Sequence, residues 1–281
     1  MNIFETYPGG KGNCYQQIIN QIPPHDIYIE AFLGGGAILR KKRPARHSIG
    51  IDADREVIDA WMANTARSDD DAGDTVRSGD VVEFIHANAI DWLQSYEWTG
   101  TEFIYLDPPY LDVPNYYNVP FTYHQHMDLL LLVNQIPAPI AISGYTNVWY
   151  KRLLKGWRLI TFEAMTRSGE TATEHLWMNY PEPSQLHDYR YLGDDYRERE
   201  RIRRKAARWV EGLKRLPQLE RQAIMARMEE EGVILPGNTV RSDDGRRHAP
   251  PKMTRTADTA NFDDAAAPPD LTRTPTAAPP S

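Results

Sequence analysis

The stretch Ile27-Tyr28-Ile29-Glu30-Ala31-Phe32-Leu33-Gly34-Gly35-Gly36 passes from a short β-branched and aromatic run into three consecutive glycines, and a helix is expected from about Ala37. A strand that empties into a glycine turn and then a helix is an opening unit of a wound α/β sheet. Outward from it, Ser48-Ile49-Gly50-Ile51 reads as a second strand ending at Asp52, followed by a helix through Val57, Ile58 and Trp61. Val81 to His86 and Phe103 to Leu106 read as a third and a fourth strand, Leu129 to Val133 as helix, and Ile140-Ala141-Ile142 and Leu176-Trp177-Met178 as further strands. The rhythm predicts a Rossmann-like α/β fold, a mostly parallel mixed sheet flanked by helices, with additional C-terminal helices. Ligands of such sheets sit beyond the carboxyl ends of the strands. Three clusters fall there: the glycines, Asp52, and Asp107-Pro108-Pro109-Tyr110.

The 281 residues, 41% of them hydrophobic, suffice for one full-sized domain with an appendage. No run approaches the roughly 18 apolar residues of a membrane span, and mean hydropathy is −0.59. The opening MNIFETYPGGKGN lacks the charged-then-apolar plan of a secretory signal, so a cytoplasmic chain is expected. A single cysteine, Cys14, excludes an intramolecular disulfide and a thiolate-only metal cluster.

Charge is unevenly distributed. The net value is −7, yet residues 1–184 hold 14 basic and 23 acidic side chains, whereas 185–235 hold 12 and 10. Three pieces are expected: a catalytic domain over 1–184, a charged helical extension over 185–235, and a disordered tail rich in Pro, Ala and Thr over 236–281. In the extension, Ile202, Ala206, Trp209, Leu213 and Leu216 recur at helical spacing, a stripe expected to pack. Around it, nine basic residues between Arg197 and Arg215 face only Glu198, Glu200 and Glu211, which suits either phosphate contact or a salt-bridged helix.

Three glycines without Cβ atoms let backbone approach a ligand closely. Asp52, at the end of the next strand, is placed to accept hydrogen bonds from both hydroxyls of a ribose. The pattern is not G-x-G-x-x-G, and the acidic Glu30 disfavours a pyrophosphate; a positively charged nucleoside fits better. In Asp107 to Tyr110, two prolines stiffen a turn that holds a carboxylate and the Pro108 carbonyl in fixed relation, both able to accept from one planar amino group. Tyr110 offers a stacking face for an extruded base. Alone, the glycines also read as a plain turn, and Asp-Pro as strand punctuation.

Together the clusters resemble the Dam-like DNA adenine-specific methyltransferases, whose cofactor loop precedes the catalytic motif. Tyr7-Pro8-Gly9-Gly10-Lys11-Gly12 is similar to the family's N-terminal cofactor motif, Glu30 to Gly36 to its E-P-F-x-G-G-G loop, Asp52 to its ribose-binding acid, and Asp107 to Tyr110 to its D-P-P-Y. Ile142 to Tyr145 and Thr173 to Trp177 resemble later motifs, so the likeness spans roughly residues 5–182. It implies a methyltransferase fold that binds S-adenosylmethionine, acts on double-stranded DNA with base flipping, and needs no metal. It further implies that Lys11 and the Gly9-Gly10 backbone lie near the methionine end of the cofactor, and that Tyr7, Glu30, Phe32, Gly34, Gly36 and Asp52 also bind it. The implied catalytic group is Asp107, Pro108, Pro109 and Tyr110. The resemblance names no recognition sequence, restriction endonuclease partner or oligomeric state.

Ala31 stands where the family usually has proline, and Ala87-Asn88 where many members have Gly-Asp facing the cofactor's adenine. Asn88 retains a carbonyl for that contact. Asp rather than Ser at 107 leans toward adenine; the amino group of cytosine, RNA adenine, or a non-catalytic DNA-binding protein retaining the fold are the alternatives. The run Arg40 to Arg46 reads as a solvated loop. The aromatic and histidine-rich segment Leu111 to His126, including Tyr116, Tyr117, Phe121, Tyr123 and His124, reads as a base-reading or lid element or as core. His86, His175 and His187 show no ligand spacing.

Overall fold

Apolar side chains on both faces of the strands explain the architecture. In β1 (Ile27–Ala31), Ile29 and Ala31 enter one core while Tyr28 enters another; in β4 (Glu102–Leu106), Ile104 and Leu106 join the first and Phe103 and Tyr105 the second. Strands buried on both faces are the mark of a parallel sheet covered by helices. The computed structural model describes residues 11, 14–65, 81–111, 118–165 and 171–233.

The sheet has seven strands in the order β3-β2-β1-β4-β5-β7-β6, with β2 (His47–Asp52), β3 (Val81–His86), β5 (Ile140–Gly144), β6 (Arg158–Met165) and β7 (Thr171–Met178). β1 to β5 pair in parallel, and β7 enters antiparallel between β5 and β6. This is the expected Rossmann-like sheet, with an antiparallel pair at one edge. On one face lie α4 (Ala89–Ser95), α5 (Tyr123–Val133) and α6 (Val148–Leu153); on the other, α1 (Tyr15–Ile19) and α2 (Ala37–Lys41). A third cluster joins Leu33 of the glycine turn to Val57, Ile58 and Trp61 of α3 (Arg55–Thr65).

The registers place the site. Ala31 lies beside both Ile51 and Leu106, so the chain leaves β1, β2 and β4 along one line. Phe32, Asp52 and Asp107 follow at once. The order reverses between β1 and β4, the crevice where ligands of wound sheets bind.

Three expectations need correction. β6 is an additional strand: its residues alternate half-buried with exposed, as suits an edge. The run 40–46 is solvated only in part, with Lys41, Arg43 and Arg46 exposed. Lys42 and Ala45 are buried, and the Lys42 ammonium lies 4.0 Å over the Tyr28 ring. The packed body also continues past residue 184: Asp188 accepts from the Arg43 N–H at 2.8 Å, His187 donates its N–H to the Ile22 carbonyl at 2.9 Å, and Tyr191 donates its hydroxyl to the Lys41 carbonyl at 3.0 Å.

Helix α7 (Tyr196–Lys214), capped by Asp195, has no buried residue. Trp209 is 65% exposed, so the stripe expected to pack is only partly covered, at Ile202, Leu213 and Leu216. Helix α8 (Gln218–Glu230) belongs to a separate unit beginning at Pro217 and is likewise exposed. Among the described residues, no helix is long and apolar enough to cross a membrane. The tail from 236 lies outside them.

Candidate active site

The glycine turn owes its shape to three left-handed residues. Gly34, Gly36 and, unusually for a side-chain-bearing residue, Phe32 have φ of 45°, 54° and 64°. A non-glycine in this region costs about 1–2 kcal/mol. The turn is over-determined from outside: the Leu33 N–H donates to the Ile51 carbonyl at 3.0 Å, and the Trp61 indole N–H donates to the Gly34 carbonyl at 3.0 Å. A Cβ on Gly36 would collide with the Trp61 ring, so this glycine is needed for both space and backbone.

Asp52 holds the same turn. One oxygen accepts from the Gly34 N–H and the other from the Asp54 N–H, both at 2.8 Å. Burial raises its pKa, and these donors partly offset the rise. Glu30 is 3% exposed, and its Oε2 accepts from the Tyr28 hydroxyl at 2.7 Å and the Leu39 N–H at 2.8 Å. Burial pushes its carboxyl up to about 7 against these bonds.

At the end of β4, Asp107 meets Lys11. The ammonium donates to Oδ1 at 2.7 Å and to Oδ2 at 2.8 Å, with side-chain exposures of 7% and 18%. Burial favours a neutral Lys11, but Asp107 and Glu174 outweigh it, and the ammonium is held above the usual lysine value. The same ammonium sits 4.9 Å from the centre of the Tyr110 ring. The Tyr110 hydroxyl donates to Glu174 Oε2 at 2.7 Å, and the Tyr145 ring meets it edge-on at 4.7 Å. Beneath, the Tyr105 and Ser143 hydroxyls bond at 2.8 Å.

Some of these groups share a cavity, whose lining does not include Pro108, Tyr110 or Glu174. The cavity, of about 860 Å³ counting its open mouth, is lined by Lys11, Glu30, Phe32, Gly34 to Gly36, Asp52, Asn88, Asp107 and Pro109. Pro108 is buried. Among the described lining residues, Glu30, Asp52, Asp54 and Asp107 stand against the single ammonium of Lys11. That balance suits a ligand carrying positive charge.

Two site expectations change. Asn88 lines the cavity, but its carbonyl oxygen caps α4, accepting from Ile90 N–H at 2.9 Å and Asp91 N–H at 3.4 Å. It is therefore engaged at the helix start. The segment Leu111 to His126 is divided: Phe121 packs edge-on against Phe32 at 5.0 Å and His126 is fully buried, while Tyr123 stays partly exposed on the first turn of α5. Tyr7, Gly9, Gly10, Tyr116 and Tyr117 lie outside the described residues. Sequence reasoning gave no role to Glu174, Trp61 or Asp54; only the resemblance of the segment around Glu174 marked it.

No family model and no curated protein matches the chain. Solved structures do. A SAM-dependent methyltransferase from Methanosarcina mazei is 16% identical over 59% of this chain and 97% of its own, with a TM-score of 0.43. A precorrin 8w decarboxylase from Methanobacterium thermoautotrophicum is 14% identical over 63% and 95%, at 0.39. The magnesium protoporphyrin IX methyltransferase of Synechocystis PCC 6803, crystallised with SAM, is 12% identical over 59% and 75%, at 0.39.

Proposed function

We propose that the chain transfers a methyl group from S-adenosylmethionine to the exocyclic amino group of adenine in double-stranded DNA. The observation that carries this reading is that Asp107 and the Gly34–Gly36 turn line a single cavity. An amino-group acceptor and a cofactor cradle have to share a hollow for direct transfer, and in a wound sheet they can do so only across neighbouring strand ends.

The residues fit the cofactor. Gly34, Gly35 and Gly36 line the cavity, and Trp61 packed on the Cβ side of Gly36 holds their backbone there. Asp52 stands at the strand end for ribose hydroxyls, and Glu30 supplies a buried carboxylate for a cationic ligand. When bound, S-adenosylmethionine supplies a methyl group already made electrophilic by its sulfonium sulfur.

The remaining work belongs to the chain. The amino nitrogen of adenine is a poor nucleophile because its lone pair is delocalised into the ring. Asp107 and the Pro108 carbonyl accept its two N–H bonds and so favour a pyramidal nitrogen, an interaction strongest in the transition state. The Lys11 ammonium presents N–H donors to both Asp107 oxygens, the bonding an incoming amino group would take over. Tyr110, tied down by Glu174, offers its ring to the extruded base, a contact worth about 1–3 kcal/mol.

The test is transfer of tritiated methyl from S-adenosylmethionine to an unmethylated duplex, followed by nucleoside analysis. Label in 6-methyladenine is expected. Label in cytosine, in RNA alone, or in nothing overturns the reading. Modified-base sequencing of genomic DNA from expressing cells then gives the recognition site.

A further inference from the structure

An acidic catalytic body has to receive a polyanion, and the densest run of basic residues lies on one helix. We infer that α7 is a phosphate-tracking arm that holds duplex DNA through an arginine stripe; the choice of DNA as the polyanion rests on the function proposed above. Arg197, Arg201, Arg204, Arg208 and Arg215 recur at i, i+4, i+7, i+11 and i+18 along α7 and its C-cap, and so share one face. They span about 27 Å of helix axis, with neighbours in the first three turns about 5–6 Å apart. A DNA strand carries one phosphate per roughly 3.4 Å of its axis, so a straight rod of this length lies along several in succession.

The helix holds its cations in place. Glu198 pairs with Arg201 at 3.1 Å, Glu200 with Arg203 and Arg204 at 2.6 and 2.7 Å, and Glu211 with Lys214 at 2.9 Å. These are i,i+3 and i,i+4 contacts that orient the side chains while leaving them outward: Arg201 and Arg204 are 64% and 75% exposed. With all three glutamates engaged within the helix, a surplus of positive charge faces solvent. Seven of the nine basic residues are arginines, whose planar fork matches phosphate oxygens. The apolar stripe is partly covered at Ile202, Leu213 and Leu216 and exposed at Trp209, on the side of the helix away from the arginines.

The experiment measures duplex binding by the full chain from 50 to 300 mM salt, beside a variant with the five arginines changed to glutamine. Glutamine keeps helix propensity, and far-UV circular dichroism checks that both chains are folded. The log–log slope of affinity against salt is expected to become shallower by about 4, with binding at least about tenfold weaker at 0.1 M. A second variant, Glu198, Glu200 and Glu211 to Gln, is expected to bind more tightly. Coincident slopes for wild type and the arginine variant overturn the inference. So does loss of binding to phosphatidylserine vesicles with the DNA slope unchanged. Methyl transfer at saturating duplex is followed in parallel. If neither chain transfers methyl, the enzymatic reading fails while the slopes still decide this one; if both transfer and the slopes coincide, only the arm is refuted.

Discussion

Lys11 and Asp107, 96 residues apart in sequence, meet in a forked contact at 2.7 and 2.8 Å. The fork engages both carboxylate oxygens at the end of β4 and holds Lys11 at the cavity wall. Asp107→Ala and Asp107→Asn are expected to reduce methyl transfer more than a hundredfold while S-adenosylmethionine still binds, since the carboxylate acts on the transition state. Calorimetric cofactor titration beside turnover checks the split. Turnover above about one per cent in a folded variant contradicts the role.

Lys11→Met removes the cation that lowers the Asp107 carboxyl against the upward push of burial. The carboxyl then rises further. If it must be ionised to accept the amino protons, the acid limb of the pH–rate profile moves to higher pH. A limb that stays in place, with kcat unchanged, separates Lys11 from Asp107.

Tyr110→Phe loses the hydroxyl bond to Glu174 and keeps the ring, whereas Tyr110→Ala loses both. The first is expected to weaken duplex binding only a few-fold, and the second by about 10- to 100-fold, the range of one stacked base. Equal losses in the two variants make the hydroxyl, not the ring, the working group.

Gly36→Ala combines a positive φ with a collision at Trp61. The sum of strain and overpacking is about 2–5 kcal/mol. The thermal midpoint is expected to fall by several degrees, with cofactor affinity falling alongside. A midpoint within one degree of wild type contradicts the account of the turn.

Glu30 adds a pH dependence to stability. Its folded value of about 7 lies above the ordinary value of 4.5, so the folded chain holds the proton more tightly. The stabilisation from this group is complete below about pH 4.5 and is lost as pH rises through 7; the whole difference is about 3 kcal/mol. Urea midpoints at pH 5.5 and 8 are expected to diverge in wild type and to converge in Glu30→Gln. A cationic ligand beside it favours the carboxylate, so cofactor affinity is expected to rise over the same interval. Parallel pH dependence in the two proteins removes Glu30 from the account.

What was legible in the sequence was what neighbours along the chain determine. β1, β2 and β4 announce themselves as apolar runs, and Asp52 and Asp107 as the acids just past their ends. Long-range pairings stayed hidden. Nothing near Tyr110 points to Glu174, 64 residues on, and nothing in Lys11 points to Asp107. β6 escaped notice because a half-exposed edge has no continuous apolar run. The basic run 40–46 misled because its packing comes from outside: Lys42 lies over Tyr28, and Asp188 and Tyr191 engage the loop's backbone. Asn88 kept its place on the cavity wall but lent its carbonyl to a helix start.

The clasp of Asp188, His187 and Tyr191 onto the first crossover sets an order of events on the ribosome. The earliest strands emerge with the Arg43 amide and the Ile22 and Lys41 carbonyls still lacking their distal partners. Those partners are made 145 to 165 residues later. At roughly 5–20 residues per second, that is a wait on the order of ten seconds. The backbone groups at Ile22, Lys41 and Arg43 thus wait on a late-synthesised clip, and a nascent chain released before Tyr191 lacks the last of its three fastenings.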